Sequence, residues 1–276
     1  MVLGFFTLAA TKLPSYWIPA TPAAAILIAA ATGPRAAAAP RWPQRLAWGA
    51  TLALATLMAA VLGLAPLWFG QVQDPEMPSL AADVLASGLL SRAALCFALA
   101  AGLPLLWQGR RRLLALQLPV MAFAVVALQP LWALGDQLRG APVRQMATAI
   151  QQQRQQGESV AMVGILKPSL HYYSRRVVLY EGIEPADLSN LADRLSREQR
   201  RGQAPSSSVQ QPSVLVVIDA RTAALPHWQG LRPQALAQAG LYRLWRLDRR
   251  RLEQRARALA ARGIQPTWQR PRPERY

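Results

Sequence analysis

At 276 residues, with 52% hydrophobic side chains and a formal charge of +17, the chain is both apolar and strongly basic. That pairing excludes an ordinary soluble globular protein and fits a membrane protein whose charges sit in loops or a tail. All but two of its 31 basic residues are arginine, the exceptions being Lys12 and Lys167, and a single Cys96 excludes an internal disulfide and any multi-cysteine metal site.

Four apolar stretches of membrane length precede Gly135, since roughly 20 helical residues cross the hydrocarbon layer. They are expected near residues 16–32, 46–69, 89–107 and 113–134. The first is alanine-rich, and alanine is close to neutral on insertion scales. The second ends in Pro66-Leu67-Trp68-Phe69, an interfacial aromatic signature. The third carries only Arg92, near its start, where the side chain can snorkel. The fourth contains Gln117, Pro119 and Gln129, which predicts a helix packed against others. A signal peptide does not fit, because no basic n-region precedes the first stretch and further spans follow.

The loops between these stretches differ in charge. The first holds Arg35, Arg41 and Arg45, the second Asp74, Glu76 and Asp83, and the third Arg110, Arg111 and Arg112. The positive-inside rule makes the first and third cytoplasmic. The acidic loop, the N-terminus and everything after Leu134 then lie outside, in a multi-pass protein of the inner (plasma) membrane. The membrane region is thus residues 1–138, followed by a soluble extracytoplasmic domain over 139–268 and a disordered Pro/Arg tail over 269–276.

Within the tail domain, Ser159–Gly164 and Ser213–Asp219 are β-branched runs of the kind found in buried strands. Val177–Tyr180 and Leu241–Trp245 are two further predicted strands. Leu188, Leu191, Ala192 and Leu195 recur at helical spacing over Pro185–Arg201, with Pro185 opening the helix. Alternating strands and helices predict a small α/β domain. The fold class expected is therefore an α-helical membrane bundle of about four transmembrane helices followed by that domain.

The chemistry-bearing residues are few. His171 and His227 are the only histidines and lie far apart, and no GxGxxG, GxxxxGK[ST] or GxSxG occurs. No cofactor is identified, and a divalent cation stays open. Cys96 reads as a small buried hydrophobe and Asp219 as a helix or turn cap. The dense run Arg243, Arg246, Arg249, Arg250, Arg251, Arg255 and Arg257 invites a phosphate-binding reading. Interleaved Asp248 and Glu253 favour a solvated helix face, and the derived topology favours membrane lipid head groups over nucleic acid, which is not an expected partner.

Two places stand out: Lys12-Leu13-Pro14-Ser15-Tyr16 and Lys167-Pro168-Ser169-Leu170-His171-Tyr172-Tyr173. The plain reading is interfacial anchoring for the first and a strand-to-helix turn, with Pro168 opening the helix, for the second. The functional reading starts from the two lysines themselves. A compact ammonium suits a phosphate as a point charge, and a tyrosine hydroxyl adds a hydrogen bond.

Phe5-Phe6-Thr7-Leu8 followed by Lys12-Leu13-Pro14-Ser15-Tyr16-Trp17-Ile18-Pro19 resembles the KLPxY stretch of bacterial integral-membrane glycosyltransferases. These are the aminoarabinose-transferase-like enzymes, related to protein O-mannosyltransferases, of the GT-C class. Val163 to Tyr173 is similar to a segment of their C-terminal extracytoplasmic domain. The resemblance implies transfer of a sugar from a polyprenyl-phosphate carrier to a lipid or protein acceptor. It also implies that Lys12 and Tyr16 contact the carrier phosphate, with Lys167 and Tyr173 as weaker candidates, and no catalytic residue is assigned. The family's catalytic acid lies in an early outer loop with no counterpart in this sequence. The chain is therefore expected to be the C-terminal portion of such an enzyme, either a truncated or split product or one whose start is set too late, inactive alone and able to regain activity with a companion N-terminal polypeptide. The alternative is a non-enzymatic membrane anchor presenting a basic extracytoplasmic binding domain. A cytoplasmic nucleic-acid-binding tail would require the inverted topology.

Overall fold

The computed structural model describes residues 41–202 and 212–267. The expected span over 16–32, together with Lys12 and Tyr16, lies outside them. In chain order the elements are α1 (Arg41–Gly63), α2 (Ala65–Trp68), a 3-10 turn over Phe69–Gln71, α3 (Leu80–Ala86), α4 (Leu89–Leu106) and α5 (Arg110–Phe123). A π-helical segment, Ala124–Leu128, leads into α6 (Gln129–Arg139) and α7 (Ala141–Gln153). Then come β1 (Ser159–Val163), α8 (Ser169–Ser174), β2 (Val178–Glu181), α9 (Pro185–Gly202), β3 (Ser213–Asp219), α10 (Ala220–Ala223), β4 (Gln234–Ala239), β5 (Tyr242–Asp248) and α11 (Arg249–Ala260).

Among the described residues three helices are long and apolar enough to cross a membrane: Gln44–Gly63, Leu89–Leu106 and Arg111–Arg139. The second expected stretch, 46–69, is divided. Its helix stops at Gly63, and Pro66 then opens the four-residue α2, for which a proline in the first turn is favourable. The last of the three contains the π-helical segment. Pro130 has no N–H to offer the carbonyl of Val126 and its ring crowds that turn, so the backbone widens there.

The chain forms two compact units, one gathering residues 41–63 and 91–123, the other residues 64–90 and 124–267. In the first, the Arg112 guanidinium lies 4.2 Å from the centre of the Trp48 ring, and the rings of Phe97 and Phe123 are 5.0 Å apart. Cys96 is buried, as a small hydrophobe would be.

The second unit is built on a five-stranded sheet of order β2-β1-β3-β5-β4. The β2-β1-β3 part is parallel, and β5 and β4 add on antiparallel. Alternate residues divide cleanly between its faces. Ala161, Val163, Val214, Val216, Ile218, Trp245 and Leu247 pack with Leu188, Leu191 and Leu195 of α9 and with Leu252 and Leu259 of α11. Val160, Met162, Leu215, Val217, Tyr242 and Leu244 pack with Val143, Met146 and Ile150 of α7 and with Leu170 of α8. Burial on both faces is why β1 and β3 read as continuous apolar runs rather than alternating ones. Strand β4, Gln-Ala-Leu-Ala-Gln-Ala, has no β-branched residue and no counterpart among the sequence-based expectations.

Candidate functional site

Strand β1 lies between β2 and β3, so the chain leaves it towards one side and returns on the other. In open α/β sheets that reversal leaves a crevice beyond the carboxyl ends of the strands, where such folds place their ligands. Here that position is taken by the loop after β1, Gly164 to Pro168, which packs against Asp219 at the end of β3.

This loop is held on both sides. The buried Asp219 carboxylate caps α10 by accepting from the N–H groups of Arg221 (3.0 Å) and Thr222 (2.9 Å). It also accepts from the Thr222 hydroxyl (2.6 Å) and from the N–H of Ile165 (3.1 Å). Asp219 is thus a cap, as expected, and also a staple across 54 residues of sequence. Gly164 makes the approach possible: its φ is +92°, and a Cβ there would overlap the Asp219 carboxylate. On the opposite side the Tyr242 hydroxyl donates to the Ile165 carbonyl (3.2 Å). Burial, reinforced by the neighbouring Glu76, pushes the Tyr242 phenol well above its ordinary value, so it stays a donor. The Tyr180 hydroxyl closes the turn by donating to the carbonyls of Lys167 (3.3 Å) and Pro168 (3.2 Å).

The loop delivers Lys167. Its ammonium, only 12% exposed, is ion-paired with the Glu76 carboxylate, which also receives the Arg139 guanidinium at 2.7 Å. Two cations share one carboxylate, so this three-residue cluster carries a net positive charge. Tyr173 goes elsewhere. Its carbonyl accepts from the Gln151 side chain (3.0 Å), and its hydroxyl meets Arg144, which is bridged to Asp136 at 2.5 Å. Lys167 and Tyr173, singled out together, therefore engage different partners. Glu76 was legible only as one acid of an acidic loop, because a contact 91 residues away has no local signal. Among the described residues no group of three or more His, Cys, Asp and Glu side chains is placed to hold a metal ion.

The arginine run also resolves. Arg246 bonds both oxygens of the buried Glu158 and the Gln153 carbonyl. Arg249 bonds the Ser213 carbonyl and the Ser159 hydroxyl, and Arg255 the carbonyls of His227 and Pro226. These three cement the fold, which removes them from the phosphate-binding face that their density in the sequence invites.

Against this geometry the comparisons are specific. Residues 153–263 match the family model of the cyanobacterial RgtA-type glycosyltransferase, C-terminal domain. That RgtA-type match contains the whole sheet, the Lys167 loop and Asp219. The fold is also similar to two crystal structures of ArnT from Cupriavidus metallidurans. One is the apo state, with a TM-score of 0.53 and 19% identity, and the other is bound to undecaprenyl phosphate, with a TM-score of 0.56 and 18% identity. Each alignment covers 89% of this chain and 44% of the ArnT chain, so the chain spans less than half the length of that relative. No curated protein sequence matches the chain. The resemblance to the C-terminal part of a GT-C glycosyltransferase, read from the two lysine-containing stretches, is thereby borne out by a family match over the α/β region and a structural match over most of the chain.

Proposed function

We propose that this chain is the C-terminal portion of a GT-C membrane glycosyltransferase that uses a polyprenyl-phosphate-linked sugar as donor and a lipid or protein as acceptor. Residues 1–138 form its membrane region in the inner membrane, and residues 139–268 an α/β domain on the extracytoplasmic side. The observation that carries this reading is the fold shared with ArnT bound to undecaprenyl phosphate, extending over 89% of the chain. The RgtA-type match over residues 153–263 supports glycosyl transfer independently. In this reading Lys12 and Tyr16 contact the carrier phosphate, with Lys167 and Tyr173 as weaker candidates. A fixed ammonium suits the negative charge that grows on a departing phosphate, while the base that activates the acceptor comes from a companion portion of the enzyme.

Binding, rather than turnover, tests this portion directly. The full chain in nanodiscs is expected to bind undecaprenyl phosphate and to bind undecaprenol, which lacks the phosphate, at least about tenfold more weakly, a difference of about 1.4 kcal/mol. Lys12→Ala should narrow that gap. Equal binding of the two lipids would refute a phosphate-reading site.

A further inference from the structure

The stretch from Leu166 to Tyr180 contains no acid, yet it includes Lys167, His171, Arg175 and Arg176. Its helix, α8, buries Leu170 and Ser174 against the second unit's core and turns the rest outward. Tyr172 is 77% exposed and Val177 75%, with Arg175 and Arg176 exposed between them. The rings of Tyr172 and Tyr173 meet edge to face, 5.4 Å between centroids. Arg175 closes the helix in the left-handed region, at φ 53°, which swings the Arg175-Arg176-Val177 turn away from the core. Two aromatic rings, an exposed aliphatic and adjacent arginines form a face that water alone does not explain.

Two connections place this face at one end of a membrane-length helix. Lys167, just before α8, pairs with the carboxylate that also holds Arg139, the last residue of the apolar helix Arg111–Arg139. Tyr173, within α8, meets Arg144, whose guanidinium is bridged to Asp136 one turn earlier in that helix. Helix α8 is therefore tied twice to the point where the chain leaves its last apolar segment. Head-group depth is where tyrosines rest with their hydroxyls in water and where arginines meet lipid phosphates.

We propose that the outer face of α8 and its turn, centred on Tyr172, Arg175, Arg176 and Val177, docks the α/β domain onto the anionic surface of the surrounding bilayer. The occupant is lipid because the face is cationic and aromatic, carries no acid, and stands beside the end of a spanning helix. The inference requires only that this helix spans, not that the chain transfers sugar. It also relocates the head-group contact from the α11 arginine run, whose Arg249 and Arg255 are spent on backbone carbonyls.

The test is a nitroxide label on the full chain in nanodiscs, in a Cys96→Ala background, at Tyr172→Cys and, as a control, at Ala261→Cys. In discs containing anionic lipid, the label at 172 should be shielded from a water-soluble nickel chelate and open to oxygen, while the control stays open to the chelate. Arg175→Asn with Arg176→Gln removes the charge, asparagine being tolerant of the left-handed region. The docked-to-free ratio should fall about thirty-fold, the product of about five-fold for each of the two arginines at the surface. Replacing the anionic lipid by zwitterionic lipid should have the same effect. Equal chelate access at 172 and 261 in anionic discs overturns the proposal, as does shielding that persists after charge removal or in detergent without lipid. The last result would assign the face to a protein partner.

Discussion

Replacing Asp219 by alanine should loosen the centre of the α/β sheet and free the Lys167 loop at once. The carboxylate is 1% exposed and accepts four hydrogen bonds, two of them capping α10 and one fixing Ile165. Loss of a helix cap costs about 0.5–2 kcal/mol. A buried N–H left without an acceptor, as that of Ile165 would be, adds about 1–3 kcal/mol. Together they give about 1.5–5 kcal/mol, a large share of a stability of about 5–15 kcal/mol. Hydrogen exchange of the full chain in nanodiscs should then show β1 and β3 amides losing protection by about 10- to 4,000-fold. Asp219→Asn separates the two roles. Its remaining oxygen still caps α10, but its amide faces the Ile165 N–H, so residues 164–168 should lose protection while residues 220–223 keep it. If both variants leave exchange at residues 164–168 unchanged, Asp219 is not the staple and the rigidity of the loop has another source.

Two further changes probe the same domain. Glu158 is fully buried and accepts from the Arg246 guanidinium at 2.9 Å, the Ser213 hydroxyl at 2.7 Å and the Gln155 N–H at 3.1 Å. Glu158→Ala leaves a largely buried arginine uncompensated, so unfolding should become easier by about 3–5 kcal/mol, and Glu158→Leu with Arg246→Met should recover most of that loss. A single variant as stable as the parent would show that water reaches the pair freely. Burial lowers the pKa of His227 below its ordinary 6.5; Arg255 lowers it further, while a hydrogen bond with the Ile183 backbone and the charge of Asp187 partly oppose the shift. The unfolded chain then binds the proton more readily than the folded one, so stability should fall as pH drops below about 6.5. Thermal unfolding of the parent should therefore decline more steeply from about pH 7 to pH 5 than that of His227→Leu. Parallel curves would count against a buried neutral imidazole.

What the sequence disclosed follows how local each signal is. Strands β1 and β3 and helix α9 were legible because buried β-branched runs and leucines at helical spacing are written within a few residues. Strand β4 was not: its alanines and glutamines carry no intrinsic preference, and it is a strand because the edge of β5 offers it partners. The break at Gly63 was signalled by Pro66, yet an apolar run of uninterrupted hydropathy hid it. The site divides in the same way. Lys167 and Tyr173 were visible as rare or clustered residues beside a proline. Their partners, Glu76 and Arg144, were not, because those contacts are products of tertiary folding.

The composition that opened the problem takes on a different meaning in three dimensions. A charge of +17 carried almost wholly by arginine looks like a binding surface, yet much of it is spent inside the fold. Arg246, Arg249 and Arg255, however, are each fastened to two or more acceptors, backbone carbonyls among them, a task that a planar five-donor fork performs and a single ammonium does not. Arginine density therefore measures how many loop carbonyls this small sheet domain must satisfy as much as it measures affinity for anions. Lysine is kept for a different task. Lys167 carries a compact charge at the end of a loop stapled by Asp219, Tyr242 and Tyr180, and the carboxylate it pairs with, Glu76, is shared with Arg139. A point charge held that firmly and only half neutralised suits the anion-facing role proposed for it, whereas Arg246, Arg249 and Arg255 are occupied in holding the frame of the domain.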